Sequence, residues 1–115
     1  MKKQSKIKKI ILKGIPANAG IVKGKVKIIL NPSQNSKMEK GNILVAEITS
    51  PLFTSVILKA SAIITDKGEA LCHSAIVARE LNIPCVVGTE KATKVLKDNQ
   101  KIIIDGKKRV IYYAK

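Results

Sequence analysis

Histidine is the side chain best suited to take up and release a group near neutral pH, and this chain has one, His73. It stands in ITDKGEALCHSAIVARELNIPCVVG, residues 64–88, between a glycine turn and a stretch with helical spacing. A histidine is mostly neutral at pH 7, so its ring offers a lone pair that can attack phosphorus. At a helix start it meets a partial positive charge, which disfavours a protonated ring and favours the dianionic phosphate formed by transfer. The unpaired N–H groups of Ser74, Ala75 and Ile76 are the candidate phosphate donors, joined by the Ser74 hydroxyl, with Gly68 giving the turn its freedom. A lone histidine in an arbitrary chain is usually a surface residue. The glycine turn before this one and the alanine-rich run after it single it out.

The neighbouring polar groups read as support. Thr65 ends a buried run, and Asp66 is expected to close a local turn with its own backbone rather than fix the imidazole tautomer. Arg79 follows His73 by six positions, about 240° round and about 9 Å along an ideal helix, which suits docking or a salt bridge better than phosphate contact. Glu80 reads as a surface or interface charge. Of the two cysteines, Cys72 is a small packing residue and Cys85 belongs to the core. Cys72 beside His73, with Cys85 in an apolar run, lacks the spacing of a zinc site, so no metal is expected.

These residues need a scaffold, and the chain alternates strands and helices. Ile7 to Leu12 and Lys25 to Leu30 read as two strands of one sheet, joined by a glycine-rich connection from Gly14 to Gly24. A polar loop from Asn31 to Gly41 precedes a strand at Ile43 to Ala46. Ser50-Pro51 signals a helix start leading into Leu52 to Ala60. Ala62 to Thr65 is a buried strand, Ser74 to Leu81 a helix ending at Asn82, and Ile83 to Val87 another buried strand. Lys91 to Leu96 reads as a helical turn or two. Ile102 to Asp105 and Val110 to Tyr113 form a hairpin across Gly106 to Arg109.

With 115 residues and 45% hydrophobic content, the chain fits one domain, residues 7–115, preceded by a disordered basic Met1 to Lys6. Its apolar runs fall far short of the roughly 20 residues that span a bilayer, and no signal-peptide pattern follows the basic start. A cytoplasmic location without membrane attachment is expected. The 22 Lys+Arg against 8 Asp+Glu give a net charge of +14, a field that favours phosphate-bearing and acidic partners. Phe53, Tyr112 and Tyr113 are the only aromatic residues, too few stacking groups to favour nucleic acid.

At Thr65-Asp66-x-Gly68, then Cys72-His73-Ser74-Ala75-Ile76-Val77-Ala78-Arg79-Glu80-Leu81, then Ile83-Pro84-Cys85-Val86-Val87-Gly88, the chain resembles the phosphohistidine domain of the phosphoenolpyruvate-utilising enzymes. This is the mobile or swivelling domain of phosphoenolpyruvate synthase, pyruvate phosphate dikinase and Enzyme I. The resemblance extends to Gly14-Ile15-Pro16-Ala17, Gly20-Ile21-Val22-x-Gly24 and Ile104-Asp105-Gly106, so essentially the whole chain is covered. It implies an α/β fold, a three-layer β/β/α swivelling domain. It also implies that His73 takes a phosphoryl group from one active site to another.

Such a chain is a phosphotransferase component rather than a complete enzyme. It would bind no cofactor itself; the donor, phosphoenolpyruvate or ATP with magnesium, would sit on a separately encoded nucleotide-binding or phosphoenolpyruvate/pyruvate-binding protein. The basic surface would suit docking to such phosphate-bearing sites. The chain departs from the family at Glu69, where a second small residue is usual, and at Leu71, where threonine is common. Those departures carry an alternative reading, a non-catalytic swivel or regulatory module. A basic nucleic-acid-binding domain is a distant third.

Overall fold

Strands buried on both faces are apolar at every position, and this is how the middle of the molecule is built. The computed structural model describes residues 9–114. In chain order they form β1 (Ile10–Lys13), β2 (Ile15–Asn18), β3 (Ile21–Ile28), β4 (Ile43–Ala46), α1 (Thr54–Ile57), β5 (Ala62–Thr65), α2 (His73–Leu81), β6 (Cys85–Val87), α3 (Ala92–Val95), β7 (Lys101–Asp105) and β8 (Val110–Tyr113). The strand order is β1-β8-β7-β3-β4-β5-β6-β2. β3 serves two sheets: Ile21 to Lys25 pair antiparallel with β7, and Val26 to Ile28 pair parallel with β4.

Side chains alternate across a strand, and the two apolar clusters divide accordingly. Leu44, Ala46, Ile63, Cys85 and Val87 pack with Val56, Ile57, Ala75 and Ala78 on the helical side. Ile43, Val45, Ala62, Ile64 and Val86 pack with Val26, Ile102, Ile104 and Ile111 of the antiparallel sheet. The result is three layers: an antiparallel sheet, a largely parallel sheet between, and α1 and α2 outside, while Ala92 of α3 packs in the cluster between the sheets. This is the expected β/β/α arrangement. Among the described residues no helix is long and apolar enough to cross a membrane.

β4, β5 and β8 have the expected bounds, while other elements differ for local reasons. The Gly14 to Gly24 connection is itself mostly strand. Gly14 passes so close to β6 that a Cβ would lie 2.5 Å from the Val87 carbonyl oxygen, and Gly20, at φ +127°, turns the chain into β3. Pro16 is tolerated between them because β2 is the outermost strand of its sheet. The polar loop holds a 3-10 segment, Pro32–Lys37, capped by the Asn31 side chain.

The Ser50 hydroxyl accepts from Leu52 N–H as the cap signal requires. Behind that cap the chain makes a 3-10 turn, Pro51–Phe53, and then the short α1. The branched side chains of Thr54, Val56 and Ile57 favour helix poorly. The helical turn within Lys91 to Leu96 is α3, and the strand expected from Ile83 begins at Cys85, since Ile83 N–H is already used by Ala78 C=O at the end of α2. Of the strand expected from Ile7, residues 7–8 lie outside the described residues, and β1 runs over Ile10–Lys13. The expected disorder of Met1 to Lys6 lies outside the described residues.

Candidate functional site

Two loops leave the parallel sheet on the side where its strands end, and they meet at His73. The first continues β5. Thr65 is fully buried, its hydroxyl donates to Lys67 C=O at 2.6 Å, and its carbonyl accepts from Thr89 N–H at 3.1 Å and the Thr89 hydroxyl at 3.0 Å. Gly68 then takes φ +129°, where a Cβ would meet Cys72 Sγ at 2.9 Å. Only glycine fits that contact and that backbone angle together. A turn closed by Cys72 N–H on Glu69 C=O delivers the chain to α2, with Cys72 as N-cap and His73 as the first helical residue.

Asp66 does neither of the two jobs considered from the sequence. Its carboxylate accepts from Thr93 N–H at 2.8 Å and the Thr93 hydroxyl at 2.5 Å. It ties the loop to α3 instead of closing a local turn. Arg79 also departs from expectation, making no salt bridge among the described residues. Its Nε donates to Ala17 C=O at 3.1 Å and its Nη2 to Ala70 C=O. The guanidinium therefore clamps β2 to the loop in front of His73.

The second loop, after β4, supplies what sequence reasoning missed. Thr49, 5% exposed, places its hydroxyl 2.9 Å from His73 Nδ1 and 2.5 Å from Ser74 Oγ. The tautomer that carries its proton on Nδ1 donates to Thr49 and leaves the ring's lone pair on Nε2. The ring is partly exposed. It sits beside a groove of about 270 Å³ between α1 and α2, lined by Ile57, Leu58, Val77, Leu81 and Glu80. Thr49 stands 24 positions from His73, and its one local cue is its place at the end of an apolar strand, before a helix cap.

Not every expected phosphate donor is open. Ile76 N–H donates to Cys72 C=O at 3.0 Å, so it is not an open donor. The first-turn amides of His73, Ser74 and Ala75 precede any intrahelical acceptor. The Ser74 side chain is 2% exposed and engaged with Thr49, which makes its hydroxyl part of the ring's support. Ala75 and Ala78 are fully buried where α2 packs on the sheet, the close approach that small residues permit. Cys85 is core as expected, and burial, followed by the neighbouring Cys72 and against the opposing charge of Arg79, pushes its thiol up to about 12.

The surface around the ring is apolar rather than basic. Ile48, Leu52, Leu58, Leu71 and Ile76 are exposed, Leu71 at 81%, on the segments that carry the site. Glu69 and Glu80 are exposed there too. The expected basic docking surface is not beside His73, since Lys67 on the loop before α2 is paired with Glu47 at 3.7 Å.

Comparison with known proteins agrees with this geometry. The probable phosphoenolpyruvate synthase of Archaeoglobus fulgidus is 50% identical over 104 residues, which is 90% of this chain and 14% of that protein's length. The chain thus spans a small part of such relatives. A solution structure of Enzyme I superposes with a TM-score of 0.57 at 31% identity, covering 66% of this chain and 32% of that one. The crystal structure of holo aconitase X from Thermococcus kodakaraensis shares the fold, with a TM-score of 0.66 at 22% identity over 90% of this chain and 98% of that one. The profile described as PEP-utilising enzyme, mobile domain, matches residues 38–109, and the chain belongs to that family.

Proposed function

We propose that the chain is a phosphohistidine carrier. The observation that carries this reading is His73 at the first position of α2, its Nδ1 held by Thr49 and its ring partly exposed. Nε2 attacks the phosphorus of the donor. The N–P bond forms as the P–O bond to the leaving oxygen breaks, and the electron pair departs on that oxygen. The transferred dianion rests against the first-turn amides and the positive end of α2. In the second transfer the N–P bond breaks toward an acceptor oxygen, and Nε2 recovers its lone pair.

The donor, phosphoenolpyruvate or ATP with magnesium, is held by a partner that binds the nucleotide or the phosphoenolpyruvate/pyruvate pair. The exposed Leu58, Leu71 and Ile76 suit this traffic, because an apolar collar pressed against a partner excludes water that would hydrolyse the N–P bond. Labelled phosphoenolpyruvate and labelled ATP, each with candidate partner proteins, test the reading. The expected result is an acid-labile, base-stable label on the wild type and none on His73→Ala. A wild-type chain that stays unlabelled with every partner that binds it is instead the non-catalytic swivel module.

A further inference from the structure

Four exposed lysines lie on the side of the molecule away from His73. α2 covers one face of the parallel sheet and the antiparallel sheet covers the other, so the outer face of the antiparallel sheet points away from His73. The register of β3 and β7 places Ile21, Lys23 and Lys25 on that outer face with Lys101 and Ile103, since Val22, Val26, Ile102 and Ile104 pack inward. Tyr112 lies opposite Ile103 on β8, with Ile10 of β1 beside it, and Lys13 lies opposite Val110.

The exposed charges of this face are of one sign, with Asp105, the direct partner of Ile21, buried on the same face. Lys13, Lys23, Lys25 and Lys101 are all exposed, and among the described residues none has a carboxylate within 4.0 Å. The acid of this sheet, Asp105, is 6% exposed and accepts from Lys108 N–H. Lys25 and Lys101 are direct cross-strand partners, which brings two like charges to a Cβ separation of about 5 Å, an arrangement that destabilises a sheet. Keeping a sheet face in water needs polar side chains but not a single sign, and still less a repulsive pair.

We infer that this outer sheet face docks an acidic protein surface. Its anatomy is that of a protein interface: an apolar centre of Ile21, Ile103 and Tyr112 inside a charged margin. Carboxylates brought by the partner relieve the Lys25–Lys101 repulsion, so the charge that weakens the free sheet steers and holds the complex. Nucleic acid fits less well, because the margin is lysine without arginine forks and the centre offers one aromatic ring. Docking here leaves His73 open on the other side, so the surface is independent of the proposed phosphoryl transfer.

The test uses the full chain, 15N-labelled, with a peptide of alternating glutamate and leucine as probe. Amide shifts are expected on β1, β3, β7 and β8 and not on α2. Lys23→Glu, Lys25→Glu and Lys101→Glu combined should weaken binding about tenfold or more. Lys40→Glu, Lys59→Glu and Lys67→Glu, the same change in charge outside this sheet, should leave it within about twofold. The corresponding glutamine triple, checked for a native amide spectrum, keeps the test valid if the glutamates impair folding. Lys101→Glu alone should raise Tm while lowering affinity for the peptide. Shifts spread over the helical side, equal losses in the two triples, or tighter binding of oligothymidylate or phosphatidylserine vesicles than of the peptide would each overturn the inference.

Discussion

In the proposed carrier, His73 and Thr49 divide the work between reaction and orientation. A ring free to rotate spends little time with either nitrogen toward a donor. One hydrogen bond of 2.9 Å to Nδ1 removes that freedom and names Nε2 as the reacting atom. The bond is worth about 1 to 1.5 kcal/mol, so Thr49→Ala should slow labelling of His73 about tenfold, and Thr49→Ser should restore most of the rate. An unchanged rate in Thr49→Ala would mean that the hydroxyl only satisfies a buried neighbour. Cys85 is the contrasting nucleophile. Its thiol, pushed up to about 12 by burial, should resist alkylation at neutral pH while the chain is folded, a difference that mass spectrometry reads directly.

The loops between elements hold the ring, and their bonds run to distant partners. Asp66 anchors on Thr93 and Arg79 on Ala17 and Ala70. Gly68 is where that frame is tightest, because its backbone angle and its contact with Cys72 Sγ both exclude a side chain. Gly68→Ala should cost about 1 to 3 kcal/mol and shift the Cys72 to Ser74 amide resonances even where the chain stays folded. Arg79→Ala should leave α2 intact and speed hydrogen exchange from Glu69 to Cys72. The difference between these contacts and the strands explains what could be read in advance. β4, β5 and the α2 boundaries follow from apolar runs, a glycine turn and Asn82 at φ 55°, all local signals. Thr49, Thr93 and the Ala17 carbonyl are joined to the site only by the topology of the sheet. β2 is hidden for a related reason: of the glycines that flank it, Gly14 serves close approach to β6 and Gly20 a turn, which composition alone does not distinguish.

The largest-scale feature is the passage of β3 from one sheet to the other, secured by two backbone bonds between Val26 and the Asn99–Gln100 segment and by one carboxylate. Asp98, in the connection before β7, accepts from Ile28 N–H at 2.7 Å and pairs with Lys37 at 2.8 Å. Partial burial acts to raise its carboxyl, but the bonds from Lys37 and Ile28 N–H and the charges of Lys37 and Lys27 outweigh this and hold it below the ordinary value. A carboxyl lowered in the folded state binds its proton more readily when unfolded. Its contribution is therefore complete above the unfolded value of about 3.9 and is lost as the pH falls through the folded one. Its side chain is 37% exposed, so solvent screening keeps the contribution near that of a surface pair with one added backbone bond, about 1 kcal/mol. Asp98→Asn should thus be less stable than the wild type by about that amount at neutral pH in urea titrations. The gap should close as the pH is lowered below about 4. A molecule of net charge +14 becomes more positive over the same range, and both proteins should lose stability together through self-repulsion. The diagnostic quantity is consequently the difference between them: a gap that stays constant to low pH would show that shape, and not charge, is what Asp98 supplies at the joint.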